Sequence, residues 1–451
     1  VMMTAPQIRE QLAHSQGHGQ EMAPHLKALL EQVLDAANFS KFGLFILPPP
    51  DAKNPIWQSA GNAIMDAMGE GKGDPNLAIS DIKQLETTAR AMGADESTFR
   101  DKLRVLRDDL AKRADARGEY RHVPLEADYY HKNWFLYAMV FFIIGTILAL
   151  AMWTLGNSKV GKGFYWATLA ATVTGLIYCI IPIVKRCIIM QRPPVGNLYD
   201  TIIFIGATVV FIALLVEWMT RRGFVLGIAP ILGTVLIVLA RRYELGDAKD
   251  NMDPLVAVLD SNYWLTIHVM TITLGYSAGL LSAFLSFIYL LMRGLDLDEG
   301  DRELRRIFTR VVYGMICFTL FLSLVGTVLG GIWANDSWGR FWGWDPKENG
   351  ALMIVLWTLA ILHARLGGYI RDWGIHFASV FTGAVVIFSW WHVNFLGVGL
   401  HNYGFTAGKN SIWVAYGMIG AAMIFGVVAM AVEHQAKQAK RLNTPPPVPE
   451  F

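Results

Sequence analysis

Trp333, Trp338, Trp342 and Trp344 fall within twelve residues and run directly into Asp345, Lys347 and Glu348. Indole rings at this density bind by stacking: a large flat ring system offers area on both faces, and a side chain with two rotatable bonds loses little freedom in meeting it. Tryptophan belts on membrane helices usually place one or two rings at each helix end. Four of them, with interspersed glycines and an Asp-Pro-Lys-Glu turn, read as a rigid surface for a planar ligand rather than as an over-furnished belt. Of the eleven histidines, His14, His18, His25, His122 and His131 sit in polar stretches and read as solvated surface, as does His434. His268, His363, His376, His392 and His401 sit in or beside apolar runs, where an ionisable side chain is a functional candidate by default. Cys179, Cys187 and Cys317 have no CxxC or zinc spacing and read as buried structural thiols. No catalytic triad or phosphate-binding loop is seen.

What must position these residues is a membrane. The 451 residues are 53% hydrophobic and 17% charged, against about 25% charged for a soluble domain. From Trp134 onward, apolar runs of spanning length recur at about 134–154, 164–184, 199–218, 223–240, 264–292, 308–330, 350–368, 375–396 and 412–433, each near the roughly 20 residues that cross a bilayer. The fold class is therefore all-α, a polytopic membrane helix bundle. Residues 1–133 form an N-terminal, mainly helical extramembrane domain, 134–433 the transmembrane domain with an external loop at 331–349, and 434–451 a cytoplasmic tail. One set of alternate loops, with Lys159, Lys162, Arg221, Arg222, Arg293, Arg302, Arg305 and Arg306, outweighs the other in basic residues and is assigned to the cytoplasm. The Trp-rich segment and the N-terminal domain then face outward. His268 lies at the external end of the fifth run and His401 in the external loop after the eighth, on the tryptophan side; His363 lies near the cytoplasmic end of the seventh. His376 reads as structural, and His392, facing the external leaflet, as an alternative ligand, a hydrogen-bond partner for an acidic group of the ligand, or a packed residue. Val1 to Gln20 has no apolar signal region, although an outward domain must be translocated, so the chain is expected to be the C-terminal part of a longer or processed polypeptide.

The stretch from Trp333 through Trp342-x-Trp344-Asp-Pro-Lys-Glu348 closely resembles the WWD signature of the haem-handling superfamily, and specifically its CcsA (ResC) branch. Arg192-Pro-Pro-Val-Gly-Asn-Leu-Tyr-Asp200, Asn262-Tyr-Trp-Leu-Thr-Ile-His268 and Asn394-Phe-Leu-Gly-Val-Gly-Leu-His-Asn-Tyr403 resemble three further stretches of that family in the same order. The resemblance covers roughly residues 190–405, and the chain is also similar to the CcsA part of fused CcsBA-type synthases. It implies cytochrome c maturation: haem transport and presentation across the membrane, with covalent attachment to a CxxCH apocytochrome c by a holocytochrome c synthase (haem lyase) of which this chain is a subunit. The alternatives are a haem carrier or exporter without synthase activity, or a CcmF-type haem lyase subunit. The resemblance further implies haem b as bound substrate, His268 and His401 as axial ligands of its iron, His363 as ligand of an inner haem site, and Trp333, Trp338, Trp342, Trp344 and Asp345 as haem-binding residues. Expected partners are a ResB/CcsB-type membrane subunit and the apocytochrome, with no nucleic acid; the expected location is the bacterial inner membrane, active face periplasmic. Lys185, Arg186, Arg192, Arg241 and Arg242 are candidates for the haem propionates or for phospholipid headgroups, and Asp345 and Glu348 for proton carriers or turn stabilisers.

Overall fold

A run of aliphatic and aromatic residues without charge must close its backbone hydrogen bonds internally when placed in lipid, and the α-helix does so within one segment. The computed structural model describes residues 24–49, 51, 53–68, 73–156, 158–244, 252, 255, 257, 260–297, 301–401 and 409–442. His14, His18, Asn402, Tyr403 and the last residues of the expected tail lie outside them. The chain divides into two compact units, Val1–Leu125 and Glu126–Phe451.

In the first unit, α1 (Pro24–Ser40) is followed by a short antiparallel ribbon of β1 (Phe45–Leu47) and β2 (Gln58–Ser59), then by α2 (Ala60–Met68), α3 (Pro75–Met92) and α4 (Glu96–Ala116). Asp74 and Asp95 start α3 and α4 by accepting main-chain bonds from Asn76 and Thr98, which satisfies first-turn donors that have no helical partner. The apolar core is small, made of Leu47, Ala63, Ala67, Ala78 and Ile82. It is reinforced where Arg113 of α4 grips the buried Asp81 of α3 through two bonds of 2.8 and 3.0 Å. Burial raises the Asp81 carboxyl above its ordinary pKa, and the Arg113 guanidinium opposes the rise.

The second unit holds nine helices that, among the described residues, are long and apolar enough to cross a membrane. After α5 (Val123–His131) come α6 (Trp134–Leu155), α7 (Lys159–Met190), α8 (Leu198–Thr220), α9 (Phe224–Glu244), α10 (Asn262–Gly294), α11 (Arg302–Trp338), α12 (Pro346–Leu366), α13 (Asp372–Trp390) and α14 (Lys409–Leu442). They fall on the nine apolar runs, and the protein is a multi-pass membrane protein. The division between the units lies before the boundary expected at 133, because α5 is bonded to α7: Lys185 pairs with Asp128, and Arg186 donates to the Tyr129 hydroxyl at 2.9 Å.

Small residues let the first spans approach. The ring of Phe142 on α6 lies against Gly175 of α7 and Gly233 of α9, where an added Cβ would stand 2.6 and 2.7 Å from it. Gly175→Val is therefore expected to destabilise the bundle by about 1–3 kcal/mol through overpacking, read as a lowered midpoint of thermal unfolding in detergent. An unchanged midpoint would show that the ring moves aside without cost.

Two helices depart from simple spans. A π-helical turn, Leu265–Val269, interrupts α10 near its start and carries His268. Wide turns of this kind are rare and concentrate at functional sites. The other departure is α11, with 37 residues and a length of about 56 Å at 1.5 Å per residue, far more than the ~30 Å of a bilayer core. The first part of the expected external loop, from Gly331 to Trp338, is thus the end of a helix. The reason lies in its spacing: Gly331, Ala334 and Trp338 repeat at one-turn intervals and continue the face presented by Thr327. Gly339, at φ 69°, ends the helix with its N–H on the Asn335 carbonyl at 2.9 Å.

Candidate functional site

The ends of α8, α10, α11, α12 and α13 enclose a cavity of about 180 Å³, and two imidazoles, four indoles and one ammonium reach its wall. His268 and His401 are the imidazoles; Trp333, Trp338, Trp342 and, from the end of α13, Trp390 are the indoles.

His268 is fixed from behind. Its Nδ1 lies 2.8 Å from the Gly326 carbonyl on α11. A carbonyl only accepts, so Nδ1 carries the proton and the lone pair belongs to Nε2. The ring also stands edge-on to Trp333 at 5.7 Å, and Trp333 is stacked on Trp264 at 6.3 Å and 9°. Gly330 makes the room, since a Cβ there would lie 2.6 Å from the imidazole.

His401 is held by a carboxylate. Asp345 Oδ1 is 3.1 Å from its Nδ1, Oδ2 accepts its main-chain N–H at 3.4 Å, and Trp338 packs edge-on to the ring at 4.9 Å. Asp345 is in turn fixed as the N-cap of α12, where it accepts from Lys347 N at 2.9 Å and shares a capping box with Glu348. The approach of the two chains needs Gly399: its φ is +86°, and a Cβ would meet Asp345 Oδ2 at 1.9 Å. Burial lowers the pKa of His401 below the ordinary imidazole value, and Asp345 opposes the shift. The ring is therefore neutral at neutral pH, the form that ligates a metal.

Trp344 stands apart from the other three tryptophans. It is 70% exposed, does not line the cavity, has a left-handed backbone at φ 59° and meets Trp342 edge-on at 6.1 Å. His363 is also elsewhere. It lies sixteen residues along α12 from Lys347, about 24 Å at the helical rise, on an exposed face with Nδ1 2.9 Å from the Leu359 carbonyl. His392 turns to Tyr416 at 3.1 Å, and His376 is buried between the hydroxyls of Ser286 and Thr309 at 3.0 and 3.2 Å. Two of the candidate external cations are spent: Lys185 on Asp128, and the fully buried Arg186 on the equally buried Asp200 at 2.7 Å. The sequence reading missed Lys347, Asn394, Thr201 and Tyr276 as parts of the wall. Lys347 and Asn394 stand within the quoted motif stretches, and Thr201 and Tyr276 are polar groups within apolar runs.

Among the described residues, no group of three His, Cys, Asp or Glu side chains would hold a bare metal ion. Two neutral imidazoles with fixed tautomers, backed by aromatic rings, instead form the donor set of an iron porphyrin, whose iron takes axial nitrogen ligands and whose ring takes apolar walls. The residues present fit that group. Fold and site together define a polytopic helical membrane protein with an aromatic, imidazole-bearing cavity at one end of its bundle.

The chain belongs to the CcsA-type cytochrome c biogenesis proteins. The family described as cytochrome C assembly protein matches residues 195–401, the segment that contributes both imidazoles and the tryptophans between them. Among its relatives, the protein named "Cytochrome c biogenesis protein CcsA" of Parasynechococcus marenigrum is 30% identical over 283 residues, covering 54% of this chain and 91% of that one. The protein of the same name from Chlorella vulgaris is 28% identical over 286 residues, covering 55% and 90%. A solved structure, "Cytochrome c Heme Lyase CcmF", aligns at a TM-score of 0.46 and 14% identity over 66% of this chain and 50% of that one.

Proposed function

We propose that this chain, whose family serves cytochrome c maturation, binds haem b in the end cavity and presents it to an apocytochrome c on the outer face of a bacterial inner membrane. The observation that carries the reading is the pair of imidazoles on one aromatic-walled cavity, each tied through Nδ1 and so offering Nε2. His268 and His401 are assigned to the iron, and Trp333, Trp338 and Trp342 to the ring faces. Asp345 is assigned to orientation of His401 rather than to contact with the ring. The chemistry served is addition of a CxxCH thiol across each haem vinyl group, the thiol hydrogen ending on the outer vinyl carbon. It needs no nucleophile from this chain. Its demand is that ring and thiols be held in register, and such positioning contributes several kcal/mol to a bimolecular step.

His363 is assigned to an inner site completed by a CcsB/ResB-type partner subunit, because its ring stands on an exposed helix face with one nitrogen tied to its own helix. The N-terminal unit is placed on the outer side and 434–451 on the cytoplasmic side. A carrier without synthase activity remains the second reading, favoured by the absence of acid–base side chains from the roles above. Co-expression of the chain with a CcsB-type partner and a CxxCH apocytochrome separates the two. Covalently haem-stained cytochrome, absent when the apocytochrome cysteines are replaced by serine, supports the synthase. A haem-loaded chain that yields no stained cytochrome in the presence of the partner leaves the carrier.

A further inference from the structure

The cavity wall carries one basic and one acidic side chain, Lys347 and Glu348, and among the described residues no ion pair joins them. Lys347 is the only lysine or arginine among the described residues that line it. Its ammonium donates to the Trp390 carbonyl at 2.9 Å and to Asn394 Oδ1 at 3.3 Å. Both acceptors are neutral, and a lysine has three N–H donors, so one donor has no acceptor among the described residues. The hydrogen bonds of the nearby carboxylates run to groups other than Lys347 Nζ, and Glu348 Oε1 makes none among the described residues. Asp345 caps α12 and holds His401, and Glu348 Oε2 accepts the main-chain N–H groups of Gly343 and Asp345 at 2.7 and 3.2 Å. Withdrawing an ammonium from water is costly until an anion meets it. The site thus has room, an unused donor and a charge that favours a carboxylate.

We propose that Lys347 Nζ, with Asn394 beside it, anchors a propionate carboxylate of the porphyrin in this cavity. The inference rests on the haem reading and sharpens it. Both propionates leave one half of the haem ring, and both vinyl groups leave the other half. A charge-assisted bond at the propionate half, more directional than the aromatic contacts, therefore decides which half turns toward the incoming thiols. Lys347 sits on the second residue of a helix fixed by its capping box, so the anchor is carried on a rigid element. Of the five basic residues that the sequence offers for the propionates, Lys185 and Arg186 are already neutralised by Asp128 and Asp200.

The test uses the full chain purified in detergent, titrated with iron protoporphyrin IX and with its dimethyl ester, in which both propionates are neutral, and followed by Soret absorbance. The wild type is expected to bind the diacid about tenfold more tightly than the ester. Lys347→Met should erase the preference by weakening the diacid alone, and Lys347→Arg should retain most of it. Equal binding of both porphyrins by the wild type overturns the propionate assignment and leaves the haem reading standing. Equal weakening of both by Lys347→Met also overturns it, because a merely structural lysine would act that way. Binding of neither porphyrin by the wild type removes the haem reading itself. The wild-type comparison requires no variant, so it decides the matter even where Lys347→Met fails to accumulate.

Discussion

Replacement of both His268 and His401 by alanine is expected to abolish the low-spin, bis-imidazole absorption of the haem-loaded chain and to lower haem affinity by two decades or more, about 2.8 kcal/mol. Each single variant should leave one axial nitrogen and a high-spin spectrum. The two positions are not equivalent in their settings. His268 is secured by a helix carbonyl and a packed indole pair, whereas His401 depends on Asp345 and on a loop shaped by Gly399. Alanine at 268 also vacates ring volume beside Gly330, so part of any loss there is packing. Exogenous imidazole separates the effects: a small ligand that restores the low-spin bands shows an intact cavity lacking only its nitrogen donors. A double variant that keeps the wild-type spectrum would remove both histidines from the iron.

Substitution of Asp345 has the second largest expected effect, because one carboxylate serves two structures. It starts α12 and it orients His401. Asp345→Asn keeps an oxygen that can cap the helix but removes the charge that the imidazole N–H meets. Haem affinity should fall about 10–100-fold, the usual scale for partners that orient a metal ligand, with the unfolding midpoint little changed. Asp345→Ala should add the loss of the cap, about 1 kcal/mol of stability. Titration of both variants with haem, beside thermal unfolding of the unliganded chains, distinguishes orientation from capping. If Asp345→Asn binds haem as the wild type does, the carboxylate acts only as a cap.

The spans were legible because each is a continuous apolar stretch, and lipid permits few alternatives to a helix. Trp333, Trp338, Trp342, His268 and His401, which the motifs single out, line one cavity. What the sequence did not disclose depended on partners far along the chain. Arg186 and Asp200 neutralise each other within the bundle, and nothing near either residue announces it. The helical course of residues 331–338 was hidden by its tryptophans, which resemble loop furniture until their spacing is set against Gly331 and Ala334. Trp344 shares the composition of its neighbours, and only its left-handed backbone turns it out of the cavity. Lys347 was named with the Trp-rich segment but given no role of its own, because its place on the wall follows from where α12 begins.

The wide turn in α10 bears on how this chain tolerates change. A helix rotates about 100° with each residue, so the residue accommodated within Leu265–Val269 sets the direction of the imidazole relative to the rest of α10. Side chains within the turn can be exchanged while that geometry persists. Loss of a single residue there would restore the ordinary helical pitch and swing the ring of His268 away from Gly326 and Trp333, with every motif residue still present. Descendants of this chain are thus free to drift in the composition of that turn, but not in its length.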